Sequence, residues 1–257
     1  MKTGPKRILV TGAGKRVGRF LATKLAEAGH AVIVHANASA APAQSLVEEL
    51  RKAGRQAWPV VFDLALPDVA SLIDQSAKLA GGPIEGLVNS ASIFDHDMPD
   101  KMDAVFFDKA MAVNLRAPAL LSQRFHEQAK ADADNCIVNI LDQKLWNMNP
   151  DFYSYTLTKA GLLAATDMTA RAFAPKVRVN AIAPGLLLPS HDQTEAEFHE
   201  VASHNALRRP IELDDLASAL EFLLSNRALT AQVIHLDNGQ RLIPLARDVI
   251  FDQNGRG

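Results

Sequence analysis

At 257 residues, 48% of them apolar, the chain is long enough for one large domain with a substantial core. Its 27 Lys and Arg against 29 Asp and Glu give a net charge of -2, which leaves no broad basic footprint for nucleic acid. The single cysteine, Cys136, excludes an internal disulfide and a cysteine-rich metal site. No apolar run reaches membrane-spanning length, and the opening MKTGPKR lacks the hydrophobic core of a secretory signal, so a cytoplasmic protein is expected.

The first elements organise the rest. Ile8, Leu9 and Val10 predict a buried strand, and Val17, Phe20, Leu21 and Leu25 recur at helical spacing behind a glycine-bearing turn. Gly29 closes that helix and Ala31 to Val34 returns to the sheet, giving a strand, a crossover helix and a parallel strand. Gly12, Gly14 and Gly18 form G-x-G-x-x-x-G, with Arg16 and Val17 inside the last interval. Such a turn either offers backbone N–H groups to a dinucleotide pyrophosphate or simply lets the helix pack closely; the strand-turn-helix-strand context favours the first.

An acid at the end of the second strand would hold both ribose hydroxyls of NAD. The corresponding residues, His35, Ala36, Asn37, Ala38 and Ser39, include no acid, so nothing there rejects a 2′-phosphate. Arg16, Asn37 and Ser39 therefore favour NADP(H) over NAD(H). A helix over 43–50 and a strand over 56–62 follow. Asp63, beside Leu64, either caps a helix expected over 66–79 or approaches the adenine edge. The next strand leads into Asn89, Ser90, Ala91 and Ser92, whose small side chains let the backbone approach a cofactor. Phe94 is either a wall for a flat substrate or a loop anchor. The acidic run at 95–100, with His96, has no repeated ligand register; it reads as a solvated lid or helix cap, and no metal is expected.

Residues 102–125 hold two apolar helical stretches broken near Asn114 and Pro118, where a bend would expose Asn114 to a buried water path. Cys136 to Ile140 predicts a central strand reaching Asp142, and a strongly helical run begins near Tyr155. Trp146 and Met148 either line a pocket or cover the core. A strand over 177–182 precedes the Pro184-Gly185 turn, and 186–209, opening with Leu186, is expected to be a substrate loop with a short helix. A helix over 211–224, a strand over 233–237 and a short tail complete the chain. Tyr155 and Lys159 stand one helical turn apart and can face one site, where the lysine stabilises a phenolate and holds ribose hydroxyls. That pair alone is weak evidence. Joined to the glycine turn, the Asn89 region and Asn114, it points to hydride transfer.

Together, TGAGKRVG at 11–18, NSAS at 89–92, Asn114, YTLTK at 155–159, the Pro184-Gly185 pair and DNG at 237–239 resemble the short-chain dehydrogenase/reductase family over nearly the whole chain. The resemblance implies an α/β fold: a single Rossmann-like doubly wound domain over 1–257, with a predominantly parallel seven-stranded sheet flanked by helices. It also implies Tyr155 as proton donor or acceptor, Lys159 as ribose contact and pKa modulator, and Asn114 as support for a water relay. His35, Asp63, Leu64, Pro184 and Gly185 join the expected cofactor contacts. Arg16 stands where the family commonly has glycine, and Asp142 where a catalytic serine usually precedes the tyrosine. With ASIF at 91–94, these residues resemble the pteridine reductase branch. That branch implies Arg16 near phosphate and substrate, Ser92 near cofactor or pterin, Phe94 stacked on the heterocycle, Asp142 assisting Tyr155, and Leu186 beside the substrate. Ser90 departs from the common NNAS form, and 35–39 lacks the basic residue often found near the NADP phosphate.

The expectation is an NADPH-dependent reductase of a pterin-type C=N bond, forming a homotetramer or homodimer. Its partner is a small molecule, with neither nucleic acid nor membrane involved. The alternatives are reduction of a 3-oxoacyl thioester, sugar or small ketone, and a dinucleotide-binding redox sensor.

Overall fold

The computed structural model describes residues 4–38, 40–189 and 194–251; Ser39 and part of the expected 186–209 loop lie outside the described residues. The chain opens with β1 (Arg7–Val10), α1 (Arg16–Glu27), β2 (Ala31–Ala36), α2 (Ala40–Lys52), β3 (Ala57–Val61), α3 (Ser71–Leu79) and β4 (Gly86–Asn89). It continues through α4 (Ala104–Met111), α5 (Ala117–Gln128), β5 (Asn135–Ile140), α6 (Tyr153–Phe173) and β6 (Val177–Pro184). The last elements are α7 (Glu195–Ala202), α8 (Leu213–Ser225) and β7 (Val233–Leu236). All seven strands join one parallel sheet in the order β3-β2-β1-β4-β5-β6-β7.

Helices cover both faces of this sheet, which explains the near-continuous apolar strands. Leu21, Leu25, Leu46, Leu50, Leu220 and Leu223 pack α1, α2 and α8 on one face. Leu72, Leu121, Phe125 and Ala170 pack α3, α5 and α6 on the other. Cys136 is buried among the first group, and its thiol is held above the ordinary range by burial. It is a packing residue. No helix among the described residues is long and apolar enough to cross a membrane.

The strand order reverses between β1 and β4, so the chain leaves these neighbours in opposite directions and opens a crevice at their carboxyl ends. The β1–α1 turn crosses the chain after β4 closely. Gly12 has a φ of 69°, and a Cβ there would lie 2.9 Å from the Ala91 Cα. A Cβ on Gly18 would lie 2.8 Å from the Gly12 carbonyl carbon. Both glycines are steric requirements. The Thr11 hydroxyl oxygen accepts the Ser90 and Ala91 N–H groups, each at 3.0 Å, which ties the two turns together.

Two expectations are corrected. The helix expected over 66–79 starts at Ser71, because Asp63 accepts the Ala65 N–H and the chain to Ala70 runs in turns around Pro67. Proline disfavours helical backbone at the residue before it. The expected break near Asn114 and Pro118 is instead a π-helical turn, Ala112–Arg116, joining α4 to α5 without interruption. The Ala117 N–H reaches the Ala112 carbonyl, and Pro118 sits in the first turn of α5, where its missing N–H matters little.

His35 braces the glycine turn from below. Its Nδ1 accepts the Gly12 N–H at 3.0 Å, so its Nε2–H donates to the Phe62 carbonyl at 2.9 Å. Burial pushes its pKa below the ordinary 6.5, partly offset by the Phe62 carbonyl and by Asp63. As pH falls through about 6.5, the unfolded chain therefore takes up this proton more readily than the folded one. The His35 contribution is complete above that pH and is lost below it. Denaturant midpoints measured from pH 7 to pH 5 are expected to fall for the wild type, and to fall less for His35→Gln.

Candidate active site

Two cavities meet at the carboxyl end of the sheet and share Arg16 and Ser92. The first, about 460 Å³, runs across the β1–β4 crevice. Gly12, Arg16, Val17, Gly18, His35, Asn37, Asp63 and Leu64 line it from the ends of β1, β2 and β3, and Ser90, Ala91 and Ser92 from the end of β4. The first turn of α1 carries no acid and its N-cap, Lys15, makes no side-chain capping bond, so backbone N–H groups at the helix start remain available to an anion. These residues fit a dinucleotide: a glycine turn with no side chain in the way, uncapped N–H donors, and ribose-sized polar groups beyond. Lys15, Ile93, Lys109 and Val113 also line this cleft, although sequence reasoning missed them.

Some expected cofactor residues lie behind the cleft rather than on its surface. Gly14 packs against Pro42 and Ala36. Asn89 is buried, and its Nδ2 donates to the Asn139 side-chain Oδ1 at 2.8 Å. Pro184 ends β6 in the core, whereas Gly185 and Leu186 line the second cavity.

The second cavity, about 430 Å³, is lined by Arg16, Ser92, Phe94, Asp142 and Leu186. Much of the remaining wall comes from two segments: in one the pocket expectation fell on other residues, and the other carried none. One is the 143–149 loop after β5, with Lys144, Asn147 and Asn149; the other is the tail after β7, with Leu245, Asp248, Val249 and Ile250. Trp146 packs its edge on His235 and Met148 is exposed, so neither lines this cavity.

Tyr155, at the start of α6, donates its hydroxyl to Asp142 Oδ2 at 2.8 Å. Phe94 packs edge-on against the Tyr155 ring, with centroids 4.7 Å apart, and stacks on Phe152 at 4.1 Å. Lys159 Nζ donates to the Ile140 carbonyl at 2.7 Å and sits 5.4 Å from the Tyr155 ring centroid. Burial raises the Asp142 pKa, although the Lys144 N–H, Tyr155 and Lys159 oppose the rise. Burial, reinforced by Asp142, holds the Tyr155 phenol well above its ordinary range. Burial also lowers the Lys159 ammonium to about 8, against an opposing pull from Asp142. Burial first, and then the neighbouring carboxyl, favour the protonated phenol, the form that can donate a proton.

The π-helical turn aims Asn114 away from its own helix. Its Oδ1 accepts the Ile93 N–H and its Nδ2 donates to the Ile93 carbonyl, both at 2.9 Å, with a further bond to Thr158 at 3.2 Å. Asn114 thus clamps the loop between the two cavities to α6. Asp97, from the acidic run, accepts the Ser154 N–H at 3.0 Å and its hydroxyl, so it caps α6 as that segment's helix-cap reading anticipates. Among the described residues no group of three or more acidic, His or Cys side chains could hold a metal ion.

A family model described as short chain dehydrogenase matches residues 6–200. The chain belongs to the short-chain dehydrogenase family. Among solved members, it is 37% identical to FolM alternative dihydrofolate reductase 1 from Brucella canis, complexed with NADP, covering 95% of this chain and 96% of that one with a TM-score of 0.89. It is 31% identical to the promiscuous reductase LugOII, which catalyses a keto-reduction at C1 during lugdunomycin biosynthesis, covering 94% and 99% with a TM-score of 0.84. A curated relative, the 3-oxoacyl-(acyl-carrier-protein) reductase FabG of Staphylococcus epidermidis, is 29% identical over 241 residues, spanning 91% of this chain and 98% of its own.

Arg16 occupies the position where the family commonly has glycine, and its backbone keeps the left-handed conformation a glycine would take, with φ at 50°. Its guanidinium donates to the Pro189 carbonyl at 2.8 Å, bridging the glycine turn to the chain after β6. Arg16→Gly relieves the left-handed strain while adding unfolded-chain entropy, so stability should change by less than about 1 kcal/mol. Dinucleotide titration and steady-state kinetics on the same variant should show weaker cofactor binding and a raised substrate KM.

Proposed function

We propose that this protein is an NADPH-dependent reductase of a pterin-type C=N bond. The observation that carries the reading is the half-buried Asp142 carboxyl, which accepts the Tyr155 hydroxyl and lines a cavity that Phe94 and Arg16 also line. The 37% identity to a FolM structure complexed with NADP supports both the cofactor and the heterocyclic substrate. Lys15, Arg16 and Asn37 in the first cavity are the groups assigned to the adenosine phosphate, with Lys15 supplying the cation that 35–39 lacks.

When bound, the reduced nicotinamide supplies the hydride that adds to the ring carbon. The neighbouring ring nitrogen then needs a proton, and Tyr155 is placed to give it. Asp142, whose Oδ2 accepts the Tyr155 hydroxyl at 2.8 Å and whose carboxyl burial makes more basic, is placed to take a proton from solvent and pass it back to the phenolate. Lys159, still mostly charged at pH 7, faces the tyrosine and would hold the ribose of a bound dinucleotide. Phe94 offers the exposed part of its ring to a flat substrate, and Ser92 and Arg16 sit where the two cavities join. A ketone and a C=N bond each take one hydride and one proton. What favours the pterin is that the additional carboxyl lines the cavity, where it can accept N–H groups of a nitrogen-rich ring as well as the Tyr155 hydroxyl.

The assembly we infer is a dimer or tetramer built through the long helices. Val105 on α4 is 79% exposed and Met168 on α6 is 67% exposed, apolar side chains that a partner would cover. Light scattering should report an oligomer that the paired substitutions Val105→Asp and Met168→Asp dissociate; a wild-type monomer would refute the assembly. As a consumer of NADPH with one buried thiol, the protein is assigned to the cytoplasm.

The deciding assay compares NADPH oxidation with dihydrobiopterin, dihydromonapterin, dihydrofolate and representative 3-oxoacyl thioesters and ketones, with product identification. Pterin turnover should fall ~10²–10⁴-fold in Tyr155→Phe with little change in stability, since that is the usual worth of positioned proton transfer. Asp142→Ala should lower pterin turnover more than any residual ketone turnover. Efficient carbonyl reduction without a reduced pterin would overturn the substrate reading and keep the reductase.

A further inference from the structure

The tail after β7 is pinned across the second cavity by residues that lie between Asp142 and Tyr155 in the chain. Arg247 grips the fully buried Asp151 with both arms of its guanidinium, Nε to Oδ2 at 2.8 Å and Nη2 to Oδ1 at 2.7 Å. The Asp248 N–H adds a third bond to Asp151 at 2.7 Å, and His96 approaches the same carboxylate at 3.1 Å. Arg247 foremost, helped by the Asp248 N–H and His96, holds that carboxylate far below its ordinary range against the opposing pull of burial. The Asp248 side chain pairs with the buried Lys144 ammonium at 2.8 Å. Upstream, the Asn147 amide donates to the Ile243 carbonyl at 2.6 Å and accepts the Leu245 N–H at 3.4 Å. Phe251 closes the far end, its ring 4.8 Å from His96 and 5.9 Å from Phe152.

Between these fastenings, Leu245, Asp248, Val249 and Ile250 face the cavity that contains Asp142 and Phe94. Among the described residues, the dinucleotide cleft takes none of its lining from this segment. The two cavities are thus built from separable parts. Local chain after Gly12, His35 and Asn89 makes one, and a long-range closure makes much of the other.

We propose that residues 243–251 are a substrate-positioning strap, with Arg247 as the latch that holds it against Asp151 and leaves the cofactor cleft untouched. The proposal rests on the second cavity being the substrate site, as argued above. Two charges in a parallel two-bond pairing fix both distance and orientation, which a flexible segment needs if it is to serve as a wall. Arg247 is a positioning residue: it acts through Asp151 and the strap and touches neither Asp142 nor Tyr155.

The test uses the full-length protein and Arg247→Ala, read with 7,8-dihydrobiopterin and NADPH. The KM for the pterin should rise about tenfold with kcat within about twofold, the pattern of lost binding rather than lost chemistry. The NADPH dissociation constant should stay at the wild-type value, which a general structural defect would not allow. Hydrogen exchange at the amides of 243–251 should quicken about tenfold while the sheet stays protected. Arg247→Lys, which keeps the charge but loses the fork, should fall between the two. If the single variant misfolds, Arg247→Ala combined with Asp151→Asn removes both charges and should give the same split. Wild-type exchange in the strap of the folded variant would overturn the latch. A loosened strap with an unchanged pterin KM, or with equal losses for pterin and NADPH, would overturn the positioning role. A wild type that turns over no dihydropterin would instead refute the substrate named above, and exchange would then decide the latch alone.

Discussion

Everything at the active end of this protein depends on how closely two turns cross. The chain leaves β1 and β4 side by side and in opposite directions, and at Gly12 and Ala91 the two backbones come within the reach of a missing methyl group. Thr11 ties one turn to the other, His35 supports Gly12 from the neighbouring strand, and Asn114 holds Ile93 from the opposite helical layer. The crossing is therefore fastened from three directions by neutral hydrogen bonds, none of which depends on a bound molecule. A cleft assembled in this way is preorganised, so a ligand entering it has little backbone left to order.

Burial also explains the chemistry. The same exclusion of water that raises Asp142 and Tyr155 lowers Lys159, so each of the three groups is biased towards its neutral form. Lys159 keeps most of its charge at neutral pH, so the cluster sets one buried cation beside two acids inclined to hold their protons. The arrangement differs from the tyrosine-lysine logic read from spacing alone. The spacing showed which residues face each other, but the sign of their influence depends on the depth at which they sit and on the carboxyl that lies across from the phenol.

What was legible in the sequence was local. The glycine turn, the apolar strands and the helical phase of Tyr155 and Lys159 each depend on residues within a few positions of one another, and the parallel sheet follows from the alternation of strands with helices. The α3 start was misplaced because apolar periodicity continues through a stretch that Asp63 and Pro67 divert into turns. The part of the second cavity's wall that the tail supplies was not legible. Arg247 and Asp151 are 96 positions apart, and Lys144 and Asp248 are 104 apart. Nothing in a run of mixed apolar and charged residues near a terminus announces which buried carboxylate it will meet. Asn114 stands between these cases: a disturbance in its helix was readable, but its cause was not.

That disturbance has a consequence for how the chain can change in length. A π-helical turn is an α-helix with one residue too many, and each residue turns a helix by about 100°. The segment through Ala112–Arg116 thus lets α4 and α5 present unrelated faces inward while remaining one continuous rod. Loss of a single residue here would restore ordinary helical bonding yet swing Asn114 off Ile93, or else rotate Leu121 and Phe125 out of the core. Surface helices usually accept such slippage at their ends. This one has its count of residues fixed in the middle, so insertions and deletions in this part of the fold are confined to its loops.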